Sequence, residues 1–501
     1  MDGEPGNSSY GLRAERQRGL MTIQLDGWRC VVRRSGFLQV LVTVALVALF
    51  GSVVFAASGE PGANASQAKN VILCIGDGMG FGALQVSRNA LLGPDGRFPF
   101  ETFPNVAIVT THSLNNTVTD SAAAATAIAT GHKTNNGIIS VLPDGTVVPT
   151  ILEAMRAAGK ATGLVVTNTI YDATPAAFGA HWGTRGGSQE IAAQLFDSGI
   201  DVLLGGGRDQ YLPSGKGDGK RKDGRDIMAE AAAKGYAVVT TKDELSAVPA
   251  GGGAKVLGLF HPSYMNYQKD RVYLGTQEPS LADMTAKALE VLKTASDGFF
   301  LMIEGSRIDH AAHAGDVPGV VAEIADFAKA VELVHEFAKE SGDTLVIVTA
   351  DHDTMGFSAT EPFDYESLGT IKVSPEFMAL KLETGADGKF SPESIARVFE
   401  EFAGIKDLSD DEIQLVQSMS GRASYQVGYA IGAVIAARLN MGIVSPQVQL
   451  KSETGGHTGN PVPLYAFGPG AGAFSGVIDN TEIAGKVAAA AGVEFPGTVG
   501  K

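Results

Sequence analysis

The sequence predicts an α/β fold: a three-layer sandwich in which helices cover both faces of a central, mostly parallel sheet. The first observation is a set of short apolar runs that each end in a polar or glycine-rich turn, at 70–75, 162–167, 201–204, 299–303 and 344–348. The second is a set of helical segments between them, at about 150–158, 188–198, 280–296 and 317–341. Strands that alternate with helices are typical of parallel sheets covered on both sides.

The composition is that of a globular chain with a large core. Of the 501 residues, 44% are hydrophobic and 19% are charged, which is ample apolar material for a large α/β domain. The formal net charge is −16. Because nucleic-acid binding needs basic patches, we expect no nucleic-acid partner.

Residues 1–56 are predicted to be a signal peptide or membrane anchor, with a disordered extension before it. The stretch 37–56 is uncharged and follows two arginines at 33–34, and Ala56 ends a small-residue cleavage pattern. The arginine pair resembles a twin-arginine signal. If uncut, a stretch of this length is able to span a bilayer. We therefore expect an exported protein that is periplasmic, extracellular or membrane-anchored.

Residues 57–68 are predicted to be a flexible linker, and 69–501 a catalytic domain. The chain contains two cysteines. Cleavage of the signal would remove Cys30 and leave Cys74, so no intramolecular disulfide is expected. The stability of the domain must then come from its core and from bound metals.

The first predicted strand of the domain, 70–75, runs into the turn GDGMG. This turn lacks the glycine spacing of a dinucleotide-binding loop and carries an acid instead. Asp77 is therefore expected at the carboxyl end of a buried strand, where α/β sheets build their sites.

An alanine-rich run from Ser121 to Thr130 contains neither glycine nor proline, and Gly131 follows it. We expect a helix that stops at Gly131. Ser121 would begin this helix, where free N–H groups and the helix dipole favour negative charge. A serine in this position is often a simple N-cap. The preceding Asp120 and the metal-ligand types elsewhere lead us to interpret Ser121 as a nucleophile that accepts phosphate.

Three motifs supply residues that bind metals. Asp309 and His313 have i, i+4 spacing, which places them on one face of a helix and within reach of one ion. Asp351 and His352 follow a predicted buried strand, and His457 lies in the glycine-rich sequence GGHTG. Each motif alone is compatible with a surface ion pair or a hydrogen-bonded histidine.

Taken together, these motifs indicate a metal centre. With Asp77, they supply two sets of three N/O ligands, and each set leaves the open position that a catalytic zinc requires. Thr174 and Glu304 are oxygen donors better suited to magnesium. Five acids could not share one pocket without cations to offset their repulsion: Asp77, Asp172, Glu304, Asp309 and Asp351.

The span of about 360–450 is predicted to be a largely helical insertion near the site. SPESIARVFEEF and LSDDEIQLVQSM have N-cap residues and helical patterning. YQVGYAIGAVIAARL is apolar but short, so it predicts a buried helix rather than a membrane span. No function is assigned to the insertion.

Six motifs in order carry a family resemblance from about Asn70 to the C-terminal helix. They are IGDGMG, VTDSAAAATAIATG, DATPAAFGAH with WGTR, EGSRIDHAAH, VTADHD and GGHTGNPVPLYAFGPG. With these motifs the chain resembles the alkaline phosphatase family. The resemblance implies hydrolysis of phosphate monoesters through a phosphoserine at Ser121, with Arg185 clamping the phosphate and Asp120 orienting it. It also implies a homodimer.

The resemblance further implies two zinc ions and one magnesium ion. Asp309, His313 and His457 would bind the first zinc, which holds the leaving oxygen and later the attacking water. Asp77, Asp351 and His352 would bind the second zinc, which activates the serine. Asp77, Thr174 and Glu304 would bind the magnesium.

One position departs from the family's well-studied bacterial type, which has lysine where this chain has His310. We expect His310 to contact Asp172, a contact that weakens at alkaline pH because histidine is then neutral. The identity of the third metal is therefore open. Two other readings remain: a phosphodiesterase or phosphonate hydrolase of the same superfamily, and a tethered metal-binding protein without turnover. The alanines after Ser121 do not fit a sulfatase motif.

Overall fold

The structure, a computed structural model, describes residues 15–17, 20–25, 28–33, 67–251 and 253–496. The chain divides into two compact units, Met1–Ala65 and Ser66–Lys501. The first unit contains a three-stranded antiparallel sheet, β1 (Glu15–Gln17), β2 (Leu20–Leu25) and β3 (Trp28–Arg33). These strands lie in the predicted disordered extension and signal region, yet the Asp-Gly pair at 26–27 between two β-prone runs is a typical hairpin signal.

The predicted signal or anchor at 37–56 lies outside the described residues, as does most of the predicted linker at 57–68. Within the part of the chain that the structure describes, no helix is both long and apolar enough to cross a membrane. Cys74, in the second unit, is a buried free cysteine whose thiol pKa is raised by burial. Export and the state of the signal stay predictions.

The second unit is built on a ten-stranded sheet, in the order β17-β5-β16-β11-β4-β10-β6-β7-β9-β8. All neighbouring strands are parallel except the two pairs that β16 makes, with β11 and with β5. Two short antiparallel pairs lie outside this sheet, β12 with β15 and β13 with β14. The strands of the unit are β4 (Asn70–Gly76), β5 (Asn105–Thr110), β6 (Ala161–Thr169), β7 (Val202–Gly206), β8 (Tyr236–Val239), β9 (Lys255–Leu259), β10 (Phe299–Gly305), β11 (Thr344–Ala350), β12 (Asp353–Thr354), β13 (Ser358–Ala359), β14 (Met441–Gly442), β15 (His457–Thr458), β16 (Val462–Phe467) and β17 (Gly476–Asp479).

Helices surround the sheet, and the predicted mostly parallel α/β sandwich is confirmed. In the described residues they are α1 (Phe81–Leu92), α2 (Ser121–Thr130), α3 (Ile151–Ala157), α4 (Ala173–Gly179), α5 (Ser188–Asp197), α6 (Ile227–Ala233), α7 (Lys242–Ala247), α8 (Gln268–Leu274), α9 (Leu281–Leu292), α10 (Arg307–His313), α11 (Val317–Ser341), α12 (Pro375–Ala379), α13 (Pro392–Ala403), α14 (Asp410–Gln417), α15 (Ser424–Arg438), α16 (Pro446–Gln449) and α17 (Glu482–Ala491).

The core lies on both faces of the central strands. Every residue of β4, β10 and β11 is buried, which explains why these strands are continuous apolar runs rather than alternating ones. The long helix α11 covers part of this core with a buried apolar stripe that includes Ile324, Phe327 and Val331. Burial of these side chains stabilises the domain through the hydrophobic effect.

The reversed strand β16 brings a late part of the chain to the edge where the parallel strands end. Its residue Val462 pairs with Val109, next to the last residue of β5, and Leu464 pairs with Thr349 near the end of β11. The residues before β16 therefore reach the same edge as the residues after the parallel strands. This edge is where Asp77, Asp351 and His457 meet.

The predicted helical insertion contains α13, α14 and α15 at the three expected sequences. The structure adds a feature that the sequence analysis lacks: β13 pairs with β14, so Ser358 lies opposite Gly442. This pair joins the two ends of the insertion.

Candidate active site

Ser121 is the first residue of α2, and Asp120 is the residue that caps this helix. Oδ1 of Asp120 accepts a hydrogen bond from the backbone N–H of Ala123 over 3.0 Å. The capping role that the sequence leaves open for Ser121 therefore belongs to Asp120. Ser121 is 4% exposed, and its Oγ lies 3.1 Å from Nε2 of His352. Its hydroxyl is thus available for chemistry.

Arg185 links the start of α2 to the start of α4. Its Nη1 donates to Oδ2 of Asp120 over 3.2 Å, and its Nη2 donates to Oδ1 of Asp172 over 3.2 Å. The N–H of Gly137 also donates to Oδ2 of Asp120, over 3.0 Å. Burial favours the neutral guanidine, but Asp172 and Asp120 outweigh burial and raise the pKa of Arg185. A permanently charged planar fork in the same cavity as the serine suits phosphate.

Asp309, His313 and His457 form one of two groups of potential metal ligands among the described residues. Asp309 and His313 lie one turn apart on α10, and Oδ2 of Asp309 is 3.1 Å from Nε2 of His313. His457 comes from β15, and its Nε2 lies 3.1 Å from Nε2 of His313 and 3.6 Å from Oδ1 of Asp309. The structure thus brings these three predicted ligands together.

The two imidazoles of this group direct Nε2 inward because Nδ1 is held elsewhere. Nδ1 of His313 donates to the carbonyl of Gly455 over 2.8 Å, and Nδ1 of His457 donates to the carbonyl of Thr119 over 2.9 Å. A carbonyl only accepts, so Nε2 of each neutral ring presents a lone pair. Two facing lone pairs and a carboxylate fit a cation between them, and such outer hydrogen bonds are typical of metal-binding histidines.

Asp77, Asp351 and His352 form the second group, and all three are buried. Nε2 of His352 lies 3.4 Å from Oδ1 of Asp77 and 3.2 Å from Oδ2 of Asp351. Neither carboxylate oxygen has a hydrogen-bond partner within the described chain. Burial and nearby carboxylates raise the pKa of Asp77, and they raise that of Asp351 to about 7. Buried acids without compensation fit a bound metal ion.

Thr174 in α4 and Glu304 in β10 place further oxygens in the same region. They are 2% and 1% exposed, and Oγ1 of Thr174 and Oε2 of Glu304 have no hydrogen-bond partner among the described residues. Burial, with repulsion from Asp172 and Asp351, raises the pKa of Glu304 to about 8. An oxygen-only donor set that includes Asp77 fits magnesium better than a softer ion.

Gly78 holds the two ligand groups close together. Its φ is +68°, and a Cβ at this position would lie 2.8 Å from Oδ1 of Asp309 and 2.8 Å from Oγ1 of Thr354. Its N–H donates to Oδ1 of Asp351 over 3.1 Å. The glycine is therefore required by the left-handed backbone and by the close approach of α10.

The structure corrects the predicted contact between Asp172 and His310. In the described chain, the Asp172 carboxylate bonds to Arg185 and to residues of its own turn, and no hydrogen bond joins it to His310. Nδ1 of His310 instead lies 2.5 Å from Nη1 of Arg307, and its ring meets the ring of Tyr264 edge-on. Burial and the Arg307 charge lower the pKa of His310 to about 3. The ring is therefore already neutral well below neutral pH.

The remaining residues that line the cavity around these groups are not predicted from the sequence. Ser121 and Arg185 line a cavity of about 530 Å³. Its other wall includes Tyr264, Arg307, Glu376, Tyr425 and Tyr429. The i, i+4 spacing of Tyr425 and Tyr429 is visible in the sequence, but it is equally typical of a packed helix. Only the fold brings them to the cavity.

The sheet edge and the chemistry of its side chains define a metal-dependent phosphohydrolase. The family model of alkaline phosphatase matches residues 68–493. The chain belongs to the alkaline phosphatase family, and it is a phosphomonoester hydrolase. The predicted family and enzyme class are confirmed.

Relatives of known identity match along most of the chain. Alkaline phosphatase 3 of Bacillus subtilis (strain 168) is 37% identical over 482 residues, which cover 90% of this chain and 95% of that protein. Streptomycin-6-phosphate phosphatase of Streptomyces griseus is 32% identical, over 92% of this chain and 98% of that protein. The crystal structure of Thermus thermophilus alkaline phosphatase is 30% identical and has a TM-score of 0.76, covering 86% of this chain and 92% of that chain.

Proposed function

We propose that the protein hydrolyses phosphate monoesters by transferring the phosphoryl group to Ser121. The Ser121 Oγ attacks phosphorus opposite the ester oxygen, the ester P–O bond breaks, and the alcohol leaves with a proton. Water then hydrolyses the phosphoserine to inorganic phosphate. One observation carries this proposal. Because Asp120 caps α2, the buried Ser121 hydroxyl is not used as a cap, and it lies 3.1 Å from Nε2 of His352 in a group of potential metal ligands.

Arg185 binds the phosphate in this proposal. Two of its N–H groups are used on Asp120 and Asp172, which leaves the other donors of the guanidinium for the phosphate oxygens. The N-terminus of α2 adds backbone N–H groups and a favourable dipole for the negative charge. Asp120 serves both groups, because one of its oxygens caps α2 while the other orients Arg185.

We further assign the metals by the chemistry of the donors. Asp309, His313 and His457 would hold one zinc ion, and Asp77, Asp351 and His352 a second. Asp77, Thr174 and Glu304 would hold magnesium. When bound, these ions favour the ionised serine and offset the charge on the entering and leaving oxygens. The unpartnered oxygens of Asp77, Asp351 and Glu304 support this assignment.

Location and assembly complete the proposal. Export through residues 1–56 would bring the enzyme to the periplasm or the outside of the cell, either free or tethered by 37–56. A homodimer is proposed on the family membership. Small phosphomonoesters are the proposed substrates, without a nucleic-acid partner.

The test compares a phosphomonoester with the matching diester, 4-nitrophenyl phosphate and bis(4-nitrophenyl) phosphate, with and without a zinc chelator. We expect the monoester to be the better substrate and the chelator to abolish its hydrolysis. The purified protein should contain about two zinc ions and one magnesium ion per chain. Preferential hydrolysis of the diester would favour the phosphodiesterase reading, and metal-free protein with full activity would reject the metal assignment.

A further inference from the structure

The cavity around Ser121 is much larger than the phosphate that Arg185 is proposed to bind. Its volume is about 530 Å³, which is in the range of pockets that enclose small organic ligands. Ser121 is 4% exposed at its inner end, whereas Tyr264 is 45% and Tyr425 49% exposed. The cavity therefore opens from the serine toward an aromatic wall, where the alcohol part of a monoester would lie.

Two of the wall's tyrosines belong to the insertion that has no assigned role. Tyr425 and Tyr429 are one turn apart on α15, and their ring centroids lie 5.8 Å apart in an edge-to-face contact. Glu376 of α12 lies beside them. Its Oε1 accepts a hydrogen bond over 3.2 Å from Oγ of Ser424, the first residue of α15. The ring of Tyr425, which is 49% exposed, is available for stacking.

Arg307 packs against the aromatic rings of this wall. Its Cζ lies 3.6 Å above the ring centroid of Tyr267 and 5.5 Å from that of Tyr264. Nη2 of Arg307 is 3.9 Å from Oε2 of Glu376. Arg307 is 5% exposed. It thus already supplies the cation that these rings attract, and it offsets the charge of Glu376. Glu376 and Glu453 also line the cavity, so the wall carries charges of both signs, and a neutral ring is repelled by neither.

We propose that this wall, formed by Tyr264, Tyr425 and Tyr429, is a binding subsite for a neutral planar ring on the leaving alcohol. Nucleoside monophosphates and aryl phosphates are the substrate class that fits. This inference rests on the proposed function, since it concerns the alcohol side of the same reaction. The helical insertion then acts as the part of the enzyme that selects among monoesters, while the phosphate is bound by the sheet edge.

The experiment measures kcat/KM for adenosine 5′-monophosphate and for glycerol phosphate, which share the phosphate and differ in the ring. Tyr425→Leu should lower the ratio of the two values roughly tenfold, because one lost base–aromatic stack has an effect of about this size. Tyr425→Phe keeps the ring and should keep the ratio. Tyr273→Leu is the matched control: Tyr273 packs edge-on against Phe377 and Phe402 of the insertion but does not line the cavity.

A second readout is independent of hydrolysis. Binding of adenosine itself is followed by saturation-transfer NMR, and we expect a signal with the wild-type protein and with Tyr425→Phe that is lost in Tyr425→Leu. The subsite would be overturned if Tyr425→Leu left the ratio of kcat/KM values unchanged, or if Tyr273→Leu lowered this ratio equally. A preference for the cationic monoester phosphocholine would also overturn it. Adenosine binding without hydrolysis of either monoester would instead retain the subsite and reject the proposed function.

Discussion

Arg185 donates from Nη2 to Oδ1 of Asp172 over 3.2 Å, while its Nη1 donates to Asp120 over the same distance. The guanidinium is thus held between Asp120, which caps α2, and Asp172, which caps α4. Removal of the carboxylate of Asp120 or of Asp172 would allow the Arg185 guanidinium to rotate. In the proposed function, these two acids would therefore set the position of the phosphate through Arg185.

Replacing Asp172 should weaken phosphate binding. A hydrogen bond to a charged group contributes about 1.5–3 kcal/mol, and the side chain of Arg185 is 36% exposed, so solvent reduces this value. We expect Asp172→Ala to raise the inhibition constant of inorganic phosphate by roughly threefold to tenfold. Asp172→Asn keeps an acceptor but loses the charge, so its inhibition constant should lie between those of the wild-type protein and Asp172→Ala. An unchanged constant in both variants would show that Asp172 does not orient Arg185.

Replacing Ser121 should abolish the covalent intermediate. We expect Ser121→Ala to lose roughly 10³-fold or more in kcat, because the acceptor of the phosphoryl group is gone. Labelled phosphate trapped by acid quenching should be found on the wild-type protein and not on this variant. Ser113→Ala is the control, since Ser113 is also buried but bonds to the carbonyl of Asn116. Label on Ser121→Ala would reject the nucleophile.

Metal removal should make stability depend on pH. The folded-state pKa values of Glu304 and Asp351 are raised to about 8 and about 7, above the usual carboxyl range near 4. The folded protein without metal therefore binds these protons more tightly than the unfolded chain, so its stability falls as pH rises from about 4 to about 8. Bound cations compensate the ionised carboxylates and should largely remove this dependence.

Melting temperatures between pH 5 and pH 8 test this expectation, with chelator and with added zinc and magnesium. Without metal the melting temperature should fall toward pH 8, and with metal it should be higher and flatter. Glu304→Gln should reduce the fall in the chelated sample. A chelated protein that becomes more stable as pH rises would contradict the raised pKa values.

A methyl group at Gly78 should disturb the metal centre. The left-handed backbone alone makes Gly78→Ala unfavourable by about 1 kcal/mol, and its Cβ would also press on Asp309 at 2.8 Å. Gly145→Ala is a matched control, because its φ is +90° and it has no neighbour within 4 Å. Both variants should lose stability through the left-handed backbone, but only Gly78→Ala should also lose zinc affinity in competition with a chelator. Equal zinc affinities would show that α10 moves away without cost to the site.

The protonation of His310 should not affect the pH–rate profile. Its pKa is lowered to about 3 by burial and by Arg307, so the ring does not titrate between pH 5 and pH 9. We expect His310→Gln to leave the profile unchanged in this range. His310→Lys should lower the melting temperature, because a second cation would lie beside Arg307. A profile that shifts in His310→Gln would indicate that His310 does titrate in the enzyme.

The sequence predicts the parts of the fold and site that depend on local signals. The helix Ser121–Thr130 has the bounds expected from its alanines and from Gly131. The central strands β4, β10 and β11 are recognisable because both faces are buried, which makes them uninterrupted apolar runs. Asp77 and Asp351 follow such strands directly, so the rule that sites form at carboxyl ends of parallel strands applies to them.

The parts that the sequence does not predict depend on distant partners. The peripheral strands β5 and β17 are short and partly exposed, so their pattern is weak without the sheet they join. The contact of His310 with Arg307 is local, three residues apart on α10, but its contact with Tyr264 joins it to a distant segment that no local motif indicates. Likewise, Tyr425 has the appearance of a helix surface residue until β13 and β14 close the insertion beside the catalytic edge.

The reversed strand β16 sets the order in which the metal centre can be completed. Synthesis proceeds from the N-terminus, and Asp77, Asp351 and His352 are all present once residue 352 has been made. His457 follows 144 positions after His313 and reaches the site only when β16 has docked. A growing or truncated chain therefore holds one ligand group long before the other. Occupancy of both proposed metal groups would thus report that the chain has been made and folded at least through β16.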